Sequence, residues 1–149
     1  MKTESYKKIQ AQIDSILSEE NSLIANLANS AAVLRSEFGH WWIGFYLVQG
    51  DELMLGPFQG PVACTRIKKS KGVCGTAWVN KATIIVPNVH EFEGHIACSA
   101  ESNSEIVVPI IKNNEVVAVL DMDSTKFNEF DSKDKEELEL LCSKLSRFF

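Results

Sequence analysis

No stretch of the 149-residue sequence holds the ~20 consecutive apolar residues of a membrane-spanning helix. The opening residues, MKTESYKKIQ, are polar, and no apolar segment of signal-peptide type follows. A cytoplasmic protein with no membrane partner is the expectation. Basic charge is not in excess. Lys and Arg number 15 against 20 Asp and Glu, a net charge of -5, which argues against the basic face that nucleic acid requires. No repeat, low-complexity tract or proline-rich linker divides the chain, so residues 1–149 are expected to be one domain. Neither Cys-x-x-Cys nor His-x-x-x-His occurs. Cys64, Cys74, Cys98, His90 and His95 are conceivable metal ligands, but structural zinc sites usually show such pairs, and no metal is expected.

The cytosol keeps thiols reduced, so the four cysteines need an explanation other than a structural disulfide. Periodicity gives the frame. Helical spacing predicts helices over residues 3–18 and 22–38, with Gly39 as the stop after the second. Strands are predicted over 41–49, 52–55, 62–67, 83–86, 104–111 and 116–123, with the glycines and prolines at 56, 57, 60 and 61 forming a loop. Residues 72–81 read as a short helix and 88–103 as a long loop, a length usually reserved for function. Lys112-Asn113-Asn114 signals a hairpin. The last helix begins near Asp131, with acids early and bases late, as the helix dipole favours. Helices at both ends and strands between give an α+β domain. Its N-terminal helices (1–38) and C-terminal helix (131–149) pack on one face of an antiparallel sheet of about six strands, which with its loops occupies 41–124.

Several residues are placed to do chemistry. Cys64 and Cys74 flank the basic stretch 66–71, which would favour thiolate. Cys98 lies in the long loop near His95, among polar and glycine-rich neighbours. Cys142 falls on the apolar stripe of the last helix and reads as a small hydrophobe. Asp121 and Asp123, two apart in an apolar strand, share a face, with Met122 on the other. Like charges held close raise one pKa and create a proton donor near neutrality, and Glu105 on the neighbouring strand is positioned to join them. A solvated strand end would present the same two aspartates. On the first strand, period two puts Trp41, Ile43, Phe45 and Leu47 toward the core. Trp42, Gly44 and Tyr46 face the other way, where the glycine leaves space for a pocket suited to an apolar group.

Taken in order, residues 55–64 (LGPFQGPVAC), 72–77 (GVCGTA), 94–98 (GHIAC), 102–109 (SNSEIVVP) and 120–124 (LDMDS) resemble the free methionine-(R)-sulfoxide reductases, a GAF-domain family. The resemblance runs nearly the length of the chain. It implies a single GAF domain that reduces free methionine sulfoxide. Cys98 would be the nucleophile, Cys64 the resolving cysteine and Cys74 an auxiliary third. Glu105, Asp121 and Asp123 would form an acidic substrate-binding cluster, and Trp42 and Tyr46 an aromatic wall. Asp123 or Glu105 would protonate the sulfoxide oxygen and Asp121 would hold the substrate ammonium. A thioredoxin-like dithiol would restore the thiols, with no cofactor, in a homodimer. The competing expectation is a non-enzymatic GAF domain that senses a small ligand or redox state.

Overall fold

The computed structural model describes residues 1–96, 98 and 100–149; Ala97 and Ser99, which fall within the long loop, lie outside the described residues. Two helices, α1 (Lys2–Ile16) and α2 (Leu23–Phe38), lead into the hairpin of β1 (Trp42–Gln49) and β2 (Glu52–Gln59). A short β3 (Arg66–Lys68), α3 (Gly72–Asn80) and β4 (Ile84–Val86) follow, then a second hairpin of β5 (Ser104–Lys112) and β6 (Glu115–Ser124), and finally α4 (Ser132–Ser146). The strands form one sheet in the order β3-β2-β1-β6-β5-β4, every neighbouring pair antiparallel.

Local chemistry sets the ends of these elements. Ser22 caps α2 by accepting from the Ala25 N–H, and Gly39 closes it at φ 64°, where a side chain would be strained. Asp131 and Asp134 form a reciprocal capping box at the start of α4. Asn113 and Asn114, at φ 54° and 65°, give the β5–β6 turn the double positive φ of a tight two-residue hairpin.

Each face of the sheet carries its own core. On one, Ile43 and Phe45 of β1 with Leu120 and Met122 of β6 pack under α1, α2 and α4. Full burial of one such side chain contributes about 1.5–3 kcal/mol. The Asp134 carboxylate is buried there but satisfied: Tyr6 donates to it at 2.6 Å and Lys2 pairs with it, binding α1 to α4. On the other face, Val107 and Val119 of the sheet pack with Ala77 and Trp78 of α3. Among the described residues, one short α-helix covers this side, which leaves room for a site.

Three sequence expectations need correction. The chain does not break into a loop at residue 56, because β2 runs on to Gln59. Gly44 pairs with Phe58 and Tyr46 with Leu55, so Gly56 and Pro57 together oppose the single residue Phe45. A strand bulge tolerates a proline because the ladder is already interrupted there. The strand expected over 62–67 shrinks to Arg66–Lys68. Upstream, side chains rather than a ladder hold the backbone: Trp42 Nε1 donates to the Pro61 carbonyl at 3.1 Å and Tyr46 Oη to the Cys64 carbonyl at 2.9 Å. Trp41, assigned by period two to the core face, precedes β1 and faces the other side, because the pleat does not extend to it.

Candidate active site

Strand register assembles the acids. Glu105 on β5 pairs with Asp123 on β6, and Asp123 pairs in turn with Trp42 on β1. Asp121 sits opposite Gly44, two residues along the same face. All three carboxyls are beneath the N-terminal turn of α3, which brings Cys74 to them. Asp121, only 7% exposed, receives hydrogen bonds from Glu105 and Cys74, yet its Oδ1 has no partner among the described residues. Ser102 Oγ donates to Asp123 Oδ1 at 3.0 Å.

Burial governs the ionisation of this cluster. It raises Glu105 and Asp123 well above the ordinary carboxylate range, and the charge of Asp121 raises both further. Asp121 is also raised by burial, but the two bonds it accepts oppose that shift and favour its charged form. Within the coupled cluster the protonated form is therefore favoured most at Glu105 and Asp123 and least at Asp121. Cys74 is shifted upward by burial and by Asp121. The expectation that the basic stretch would activate it fails, because acids surround the thiol while Lys68 and Lys69 are exposed.

Two loops close over the acids, joined by a disulfide between Cys64 and Cys98, whose Cα atoms are 5.5 Å apart. The cavity below is walled by Trp41, Trp42, Tyr46, Lys71 and Ile96, with Cys98 in its roof. Phe58, Trp42 and Tyr46 form a stack with ring centroids 5.2 and 5.8 Å apart. Gly44 is essential to that stack, but not as empty space. The Trp42 ring fills its place, and a Cβ there would fall 2.5 Å from Trp42 Cη2 and 2.4 Å from Phe58 Cβ. The polar tips of Trp42 and Tyr46 are occupied by backbone carbonyls, so the wall offers apolar ring faces.

The structure thus gathers Cys74, Cys98, Glu105, Asp121, Asp123, Trp42 and Tyr46 around one cavity, joins Cys64 to it through the bond to Cys98, and leaves Cys142 buried on the far side of the sheet. His95 also lines it, 3.8 Å from Glu105 Oε1, but burial and His90 lower its pKa and the pair is not an ion pair near neutrality. His90 is instead exposed and bonded to Asn103 at 2.9 Å. The five conceivable metal ligands therefore do not converge. A different trio does: ligand atoms of Cys74, Glu105 and Asp121 lie within 4.8 Å of one another. Their spacing would admit a cation, although Glu105 and Cys74 already donate hydrogen bonds to Asp121. Sequence reasoning missed Ser102, Trp41 and Lys71. Ser102 carried one usable signal, a hydroxyl just ahead of the strand that bears Glu105.

The model of the GAF domain family matches residues 18–149. GAF domain-containing protein A of Dictyostelium discoideum is 54% identical over 92% of this chain and 87% of its own. The free methionine-R-sulfoxide reductase of Escherichia coli is 44% identical over 98% of this chain and 89% of its own. The solved structure of the free methionine-R-sulfoxide reductase from Neisseria meningitidis, in complex with its substrate, superposes with a TM-score of 0.94 at 47% identity, covering 97% of this chain and 87% of that one. The chain belongs to the GAF-domain family of free methionine-R-sulfoxide reductases. Membership in that family agrees with the α+β fold and with the motifs that flank the three clustered cysteines. Among the described residues, no helix is long and apolar enough to cross a membrane.

Proposed function

We propose that the chain reduces free L-methionine (R)-sulfoxide to L-methionine, in the cytoplasm and as a homodimer, with thioredoxin or a similar dithiol as reductant. The observation that carries this reading is the Cys64–Cys98 disulfide closing a cavity floored by three buried acids. A bond between cysteines 34 residues apart, poised over proton donors, is what an oxidised reductase would hold at the end of its chemical half-cycle. The R configuration rests on the activity for which the relatives are named.

In the reduced chain, Cys98 attacks the sulfoxide sulfur. Glu105 or Asp123, kept protonated by burial, delivers the proton that the oxygen needs. Methionine leaves and Cys98 carries the oxygen as a sulfenic acid. Cys64 condenses with it, forming the disulfide and releasing water. The dithiol then reduces the disulfide by exchange, becoming a disulfide itself. Asp121 fits the substrate ammonium, since its Oδ1 is buried and has no partner among the described residues and its charge is favoured by two donors. The ring faces of Trp42 and Tyr46 fit the methyl group. Cys74, with its raised pKa, holds Asp121 in place rather than attacking.

The test is to incubate the reduced protein with dithiothreitol and racemic free methionine sulfoxide and to measure methionine. Consumption of one epimer, with its stoichiometric conversion, is expected. A disulfide that forms and breaks reversibly while no methionine accumulates would establish the redox-sensor alternative instead.

A further inference from the structure

We infer that the surface on the Cys64 side of the disulfide is the docking surface for an acidic protein dithiol, which attacks Cys64 rather than Cys98. This rests on the proposed function and names the face through which it is driven.

Charge carries the argument. The chain has 20 acidic residues, yet residues 53–90 contain none. That segment contributes Arg66, Lys68, Lys69 and Lys71, all exposed and running along β3 from beside Cys64 to the start of α3. Glu52 pairs with Arg66 at 3.7 Å. On the other side of the disulfide, the Cys98 loop carries exposed Glu91, Glu93 and Glu101. A protein of net charge -5 therefore presents a positive strip at one sulfur of its disulfide and a negative rim at the other. An acidic partner is steered to the first and repelled by the second.

Shape agrees. Val62 is 88% exposed and Ile96 38%, and each lies two residues before a disulfide cysteine. An apolar pair flanking the bond suits a dithiol that must seat its own sulfur in line with it. Cys98 lines the cavity, whereas half-buried Cys64 lies next to the basic strip, and it is from that side that the reductant reaches Cys64. Its thiolate bonds to Cys64 sulfur, the Cys64–Cys98 bond breaks, and Cys98 leaves as a thiolate inside the cavity. The reductant's second thiol then displaces Cys64, and two electrons have moved from reductant to chain.

The experiment measures how fast the pre-oxidised chain is reduced, by trapping its thiols after mixing with an acidic thioredoxin or with dithiothreitol. R66E/K68E should slow reduction by thioredoxin about tenfold or more at low ionic strength, with R66Q/K68Q between it and wild type. Added salt should bring the wild-type rate down toward the variants. Reduction by dithiothreitol should be equal in all three, which also shows that the variants fold. Equal thioredoxin rates in the three chains, or a wild-type rate indifferent to salt, would overturn the docking surface. So would a mixed disulfide trapped on Cys98 by a thioredoxin lacking its second cysteine. These rates are read without methionine sulfoxide, so they stand apart from any failure of the proposed activity.

Discussion

Glu105 and Asp123 are cross-strand partners on β5 and β6, and burial, with the charge of Asp121 beside them, pushes both carboxyls well toward the protonated form. A sheet that puts two acids in register and covers them makes a proton store that functions where ordinary carboxyls are already ionised. Under the proposed mechanism, single-turnover reduction should be fast at mildly acidic and neutral pH. It should fall as pH rises through the raised pKa values. Glu105→Gln and Asp123→Asn should each lower the rate by about 10- to 1,000-fold, in the range of general-acid catalysis. A pH profile unchanged in both variants would remove the acids from the chemistry.

The same cluster affects folding. A carboxyl whose folded pKa is raised binds its proton more tightly in the native state than in the unfolded one. Stability is then lost as pH climbs from the unfolded pKa through the folded one. Glu105→Gln removes that loss, so the variant should show a higher urea midpoint than wild type at pH 8 and the same midpoint at pH 3. The combination of gained stability and lost activity would mark these residues as placed for chemistry at a structural cost.

Cysteine substitutions separate the roles assigned to the three sulfurs. Cys98→Ser should abolish methionine formation. Cys64→Ser should still yield about one methionine per chain, since the sulfenic acid forms without a resolving partner, but should not cycle with thioredoxin. Cys142→Ser, far from the cavity in the α4 core, should leave both rates unchanged while lowering stability slightly. Quantifying methionine per chain by mass spectrometry, with and without thioredoxin, checks all three.

Gly44→Ala tests the aromatic wall. The added methyl would overlap Trp42 and Phe58, and overpacking of this kind costs about 1–3 kcal/mol. Because the displaced ring is the wall itself, the Michaelis constant for methionine sulfoxide should rise along with the stability loss, seen in parallel thermal melts and initial-rate curves.

Much of this was legible from residue order. The alternation of Asp121, Met122 and Asp123 placed two acids opposite the core, and β6 obeys it. Asp131 and the two asparagines marked their helix start and turn correctly. Residue order misleads where the outcome depends on chain-distant partners. Lys68 and Lys69 are close to Cys74 in sequence, but the fold surrounds that thiol with acids from β5 and β6. Gly56 and Pro57 resemble a break in sequence because only the partner strand shows that two residues face one. The pairing of Cys64 with Cys98 was implied by family resemblance and by nothing in the spacing, since loop closure over that distance has no local signature.

That bond has a mechanical side. It fastens the segment following β2 to the loop ahead of β5 directly across the mouth of the cleft. A crosslink closing a loop of this size restricts the unfolded chain by about 3–4 kcal/mol in the chain-entropy model. Every catalytic round would therefore alternate a stapled, more heat-resistant form with an unfastened one. Under the proposed mechanism the second form is the one that turns over substrate, so the spent form is the more heat-resistant of the two while it waits for electrons.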